Sequence, residues 1–188
     1  MLTIRASAKL VIDDFIARRK SDRIGAVVFG RSAYILSPPT LDYHLLTQLV
    51  DRVTLGVVDG YGTAIGDALG TAVARLRNSD AASKVIVLLT DGDSNAGVLA
   101  PEQAAQLAAN IGAKVHTTDL FGQPIYRKHR FPVNPALLKS IAEKTGAQAY
   151  VATDAAALVG SMHAVLDALL PPACLTCPSS RRSTLPRR

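Results

Sequence analysis

The chain has 188 residues, enough for one domain with a sizeable core and too few for two. Apolar residues make up 48% and charged residues 19%, which excludes a disordered chain, and with aromatics at 5% and no tryptophan the core must be aliphatic. The formal net charge is +6, but Arg181, Arg182, Arg187 and Arg188 supply four of those charges in an acid-free tail, leaving about +2 for residues 1–172; a nucleic-acid surface on the domain is not expected.

In chain order, residues 4–19 read as an amphipathic helix. Ile4, Ala8, Val11, Ile12 and Phe15 fall on one face, and Arg18, Arg19 and Lys20 suit its carboxyl end. Ile24–Phe29 is a continuous apolar run, the pattern of a strand covered on both faces. Gly30-Arg31-Ser32 turns the chain, and Ala33–Leu36 reads as a short returning edge strand stopped by Pro38-Pro39. Asp42 is placed to cap a helix with Leu45, Leu46, Leu49, Val50 and Val53 facing inward.

After a loop over 56–62, Thr63 is expected to start a helix with Ile65, Leu69, Val73 and Leu76 as its stripe. Lys84–Thr90 (KVIVLLT) is the strongest strand signal, β-branched, apolar and followed by the polar loop DGDSNAG. Pro101 opens a helix that Gly112 ends, and Lys114–Thr118 is a strand. Residues 119–133 read as a loop carrying the basic patch Arg127-Lys128-His129-Arg130. Asn134-Pro135 caps a helix finishing at Gly146, Ala149–Val151 is a last short strand, and Thr153 caps a final helix lined by Leu158, Met162, Val165, Leu166 and Leu169. Residues 173–188 read as a disordered basic tail, and Cys174 and Cys177, a lone CxxC without further ligands, as exposed thiols.

Strands alternating with helices predict an α/β fold: a doubly wound, mostly parallel sheet with helices on both faces. Ligands on such sheets bind beyond the strand carboxyl ends, which places the loops at 60–63 and 90–97 at the binding rim. Thr90, Asp91, Asp93, Ser94 and Asn95 are all hard oxygen donors, suited to Mg²⁺ or Mn²⁺ rather than zinc or copper. Asp and Asn are also ordinary turn formers, so the spacing alone leaves both readings open. Thr63 is in the same position: it can cap its helix, present its hydroxyl to a metal, or do both. His44, His116, His129 and His163 are scattered, and none pairs with a nucleophile and an orienting group; the expected class is therefore not an enzyme.

Four blocks, DRIGAVVFG (22–30), SPPTLDY (37–43), GTAIGDAL (62–69) and VIVLLTDGDSNAG (85–97), resemble the von Willebrand factor A (VWA) domains of bacterial BatA-type aerotolerance proteins. Order and spacing agree over residues 5–170. The resemblance implies a Rossmann-like fold and a metal-ion-dependent adhesion site (MIDAS). In that family a DxSxS motif on the first strand supplies an aspartate and two serines, one loop a threonine, matching Thr63, and another an aspartate, matching Asp91. An acidic side chain of a protein partner completes the oxygen shell around Mg²⁺.

This chain contains no DxSxS, and Met1 falls where the family's first helix begins. The first central strand is therefore expected to be missing from a truncated domain over 1–172, between the strands at 24–29 and 84–90. Those two strands should either stand apart by about 9–10 Å or close up and pair. Such a chain should be poorly soluble or oligomeric, with Mg²⁺ (or Mn²⁺) bound weakly or not at all through Thr63 and Asp91. The implied partner is another protein, with an AAA+ ATPase or other Bat-type proteins as candidates. The alternatives are a non-functional fragment, or a scaffold subunit of a metal-chelatase or AAA+ ATPase complex. No run approaches the ~18–20 apolar residues of a membrane span; as written, the chain is expected in the cytoplasm, whereas an intact family member would be anchored in the inner membrane.

Overall fold

The structure, a computed structural model, describes residues 4–54, 62–90, 93–120, 134–153 and 155–169. The elements run α1 (Ile4–Ala17), β1 (Ile24–Phe29), β2 (Ala33–Thr40), α2 (Tyr43–Arg52), α3 (Ile65–Leu76), β3 (Lys84–Thr90), α4 (Pro101–Asn110), β4 (Ala113–Leu120), α5 (Pro135–Lys144), β5 (Ala149–Ala152) and α6 (Ala155–Leu169). Local chemistry explains many of the boundaries. Asp42 Oδ1 accepts from Leu45 N at 2.9 Å and starts α2, and Asn134 Oδ1 accepts from Leu137 N at 3.1 Å and starts α5. Just past α4 and α5, Gly112 and Gly146 turn the chain at φ +68° and +66°, conformations that favour glycine.

β3, β4 and β5 form a parallel sheet in that order, with Lys84 opposite Ala113 and Leu120 opposite Ala152. Side chains alternate across it with period two. Ile86 and Leu88 of β3 join Ile65, Leu69, Ala104, Val115 and Ile141 in a core with α3, α4 and α5. Val87 and Leu89 point to the other face, where Val11 of α1 and Leu158 and Met162 of α6 pack. Fully burying side chains such as Ile65, Leu69 and Ile141 stabilises by about 1.5–3 kcal/mol each. This is the expected α/β arrangement, with helices on both faces.

β1 and β2 form a separate antiparallel ladder. Among the described residues β1 pairs only with β2, and β3 only with β4, so β1 and β3 have not closed up. No residue of β1 is fully buried, although the run is wholly apolar but for Gly25.

Several details differ from the sequence expectations. β2 does not stop at Pro38-Pro39 but runs to Thr40. It is an edge strand, where a proline without an N–H does no harm, and the register shifts opposite Ile24, Ala26 and Val27 absorb the irregularity. β4 continues past Thr118 to Leu120, and Thr117, Thr118 and Asp119 are buried, because helices cover this strand on both faces. Leu45 is 46% exposed rather than inward, whereas Ile16, outside the expected stripe of α1, is buried. The helix at 65–76 is capped by Ala64 with no side-chain bond, so Thr63 does not cap it. Asp91, the basic patch at 127–130 with His129, Asp154 beside the expected cap Thr153, and the tail with Cys174 and Cys177 lie outside the described residues.

Candidate metal centre at the strand-end rim

The carboxyl ends of β1 and β3 meet at one junction. Ala64 N donates to Gly30 O at 2.7 Å, tying the end of β1 to the start of α3. Thr63 N donates to Asn95 Oδ1 at 2.8 Å, and Asn95 N donates back to Thr63 O at 3.2 Å. The two loops expected at the rim are thus bound to each other.

Asp67, in the first turn of α3, secures the far side of the same loop. Its carboxylate accepts from Val98 N at 3.0 and 3.1 Å and from Leu99 N at 2.8 Å. Gly97 makes the bend at φ +96°, where a Cβ would stand 2.9 Å from Asp67 Oδ2. At Gly66 a Cβ would collide with Leu99 O, so α3 and this loop touch backbone to backbone.

Not all the expected donors converge. Thr63 is half-buried at the junction, with its hydroxyl not engaged in capping. The Asn95 amide oxygen is taken up by Thr63 N, and Asp93 Oδ1 accepts from Ser94 N at 2.8 Å. Asp93 and Ser94 line an open cavity of about 420 Å³ together with Glu102, Asn134 and Ser140, and Thr63 is not part of that lining. Thr90 is buried at the end of β3. Mg²⁺ requires six oxygens in near-octahedral geometry. Among the described residues no three His, Cys, Asp or Glu side chains cluster.

The described histidines are engaged elsewhere. His44 Nε2 meets Gln48 on the surface of α2. His163 Nε2 pairs with Asp14 at 3.1 Å, and hydrogen bonds from Arg18 and then His163 hold the Asp14 carboxyl below its ordinary range. His116 is buried in β4 and stacks on Tyr150, with ring centroids 6.3 Å apart. Burial, with Lys114 adding repulsion, pushes its pKa below the usual imidazole value.

The model of the von Willebrand factor type A domain matches residues 1–164. The chain belongs to that family. It is 28% identical over 160 residues to an uncharacterized protein of Borreliella burgdorferi, covering 78% of the chain and 47% of that protein. This A-type domain thus spans about half the length of the curated relative it matches. Its fold is similar to that of an aerotolerance-related membrane protein from Bacteroides fragilis (TM-score 0.73, 19% identity, 88% of this chain and 89% of that one). It is also similar to that of BatB from Bacteroides thetaiotaomicron (TM-score 0.71, 20% identity, 87% and 88%). A third likeness is to proximal thread matrix protein 1 of the mussel byssus with zinc in its MIDAS motif (TM-score 0.70, 21% identity, 86% and 39%).

Asp67 escaped the sequence analysis as an individual residue. Its signal was an acid in the first turn of a helix with a loop passing close by, a placement that only the folded loop makes specific. Asn95 was legible as an oxygen donor but not as the residue that holds Thr63.

Proposed function

We propose that this A-type domain binds a protein partner at the rim around Thr63, as a non-catalytic module related to the BatA-like membrane-associated proteins. Its MIDAS is degenerate. Thr63 and Asp91 are the side chains left to touch a divalent cation, Mg²⁺ or Mn²⁺, and an acidic side chain of the partner would enter the same shell. The observation that carries this reading is the Thr63–Asn95 clamp, which holds Thr63 at the strand ends without using its hydroxyl as a cap. Likeness of fold to the aerotolerance-related protein and to BatB supports the origin. Among the described residues no helix is long and apolar enough to cross a membrane. Any anchoring would thus come from elements other than the described helices.

Calorimetric titration of Mg²⁺ and Mn²⁺ into the purified chain tests the site. A partial oxygen site should bind no tighter than about millimolar. Micromolar saturation abolished by Asp91→Ala would replace the degenerate site with an intact one.

A further inference from the structure

α6 packs on α1, β4 and β5. Leu158 and Met162 of α6 are buried there against Leu120 of β4, Ala152 of β5 and Val11 of α1. The layer also encloses polar groups that these contacts do not serve. Side chains alternate along β4, so His116 and Thr118 share the face of Leu120. His116 is 3% exposed and Thr118 is fully buried. Neither His116 Nδ1 nor Thr118 Oγ1 has a hydrogen-bond partner among the described residues. The imidazole lies against the Tyr150 ring with 21° between their planes, and Tyr150 stands opposite Thr118 in the β4–β5 ladder.

The charged and titratable groups around His116 do not welcome a proton. Lys114, on the same strand, repels one. Tyr150 is its neighbour on β5, and apolar Val87 stands opposite on β3. On α6, His163 is turned to Asp14 of α1 at 3.1 Å, and Asp14 also accepts from Arg18 at 2.8 Å, so that carboxylate is already engaged. Asp167 falls one turn beyond His163 along α6. Lys9 and Asp13 of α1 belong to the side toward α2, where Lys9 Nζ donates to Asp51 O.

We propose that α6 is an acid-released flap: a proton on His116 frees α6 from β4 and β5 while the rest of the domain stays folded. The proton would place a charge and a new N–H donor in this layer, where no acceptor awaits them; opening lets water solvate both. Burial, and then Lys114, hold the imidazole of the closed layer below its ordinary value, so the open form binds the proton more tightly and gains as pH falls below about 6.5. The His163–Asp14 pair acts in the opposite sense, since a protonated imidazole attracts the carboxylate more strongly. Its side chains are 36% and 41% exposed and screened by water, so it opposes release only weakly. The core on the other face, where α3, α4 and α5 cover Ile86, Leu88 and Val115, has no histidine among its buried residues. The trigger therefore acts on one face of the sheet. Release uncovers Leu120 and Ala152 of the sheet together with Leu158 and Met162 of α6.

Native-state hydrogen exchange on the 188-residue chain, read as protection factors at about pH 7.5 and about pH 5.5, tests this on either side of the ordinary histidine value. Protection of α6 amides should fall about tenfold on acidification, with α3 and β3 amides unchanged. His116→Phe should abolish the fall, and His116→Gln reads the same group should the Phe variant fail to fold. His163→Gln breaks only the tie to Asp14 and should leave the fall in place. An equal fall in α3 and β3 would be global unfolding and overturns the proposal. So does the absence of a fall, or one that survives in the His116 variants. A fall that vanishes in His163→Gln would move the trigger to the Asp14 pair and overturns it as well.

Discussion

Thr63 and Asn95 hold each other by two hydrogen bonds of different kinds. The Asn95 side chain accepts from the Thr63 amide at 2.8 Å while its own amide donates to the Thr63 carbonyl at 3.2 Å. A side chain that copies a strand partner in this way bridges two loops that no sheet connects. Asn95→Ala removes the shorter bond and should lower unfolding free energy by about 1 kcal/mol, the net worth of one such bond. Asn95→Asp keeps the acceptor and should cost less. Urea denaturation of both variants checks the order, and an Ala variant as stable as the parent would remove the clamp's importance.

Asp67 carries more. Its carboxylate accepts from two successive amides, Val98 N and Leu99 N, and sits where the amino end of α3 favours negative charge. Hydrogen bonds to a charged group contribute about 1.5–3 kcal/mol. Asp67→Ala should lose an amount in that range. Asp67→Asn, which keeps one acceptor but not the charge, should fall between. Hydrogen exchange at Val98 and Leu99 should quicken in both variants, and unchanged exchange would contradict the assignment.

Gly97→Ala should be destabilising for two reasons that act together. The position is at φ +96°, and the new Cβ would come within 3.0 Å of Ala64 Cβ as well as crowding Asp67. A non-glycine residue in such a conformation costs about 1–3 kcal/mol. For a domain of this size that lowers the melting temperature by about 2–4 °C per kcal/mol. The equivalent change at Gly112 meets no atom within 4 Å, so only the backbone cost applies there and the loss should be smaller.

Stability should fall as pH drops below about 6.5, the ordinary histidine value, partly through His116. Its pKa is lowered on folding, so between the folded value and the unfolded one the unfolded chain binds more protons. Folding is then penalised progressively on acidification, and the contribution is fully present only above the unfolded value. A proton gained at Nδ1 would make it a buried N–H donor with no acceptor among the described residues. His116→Phe should flatten the slope of melting temperature against pH on the acid side of about 6.5. An unchanged slope would place the pH dependence on other groups.

Removing Ile65 side-chain bulk tests the core directly. Ile65 is fully buried in the cluster joining α3 to β3 and β4. Ile65→Ala should cost about 2–5 kcal/mol, a cavity-forming loss, and Ile65→Val only about 0.5–1.5. Equal midpoints for the two in chemical denaturation would mean that the site collapses around the smaller side chain.

Sequence alone determined what depends on near neighbours. The apolar runs at 24–29 and 84–90 became β1 and β3 at those bounds, because β-branched apolar residues in unbroken series suit a covered strand. Asp42 and Asn134 capped as expected and Gly112 and Gly146 followed their helices, since caps and left-handed turns are contacts within a few residues. Thr63 and Asn95 were legible as oxygen donors at the rim, because strand–helix alternation fixes where the loops lie. What remained hidden were relationships between distant segments. That β2 tolerates Pro38 and Pro39 follows from its place at an edge, and that Leu45 faces outward follows from where α2 rests. That Asp67 serves the loop at 98–99, and that Asn95 holds Thr63, required the chain to bring positions about thirty residues apart within 3 Å. The relation of β1 to β3 belongs to the same class. Their apolar pattern says that each expects a covered place in a sheet, but pairing is made between edges, and an edge finds its neighbour only in the folded molecule.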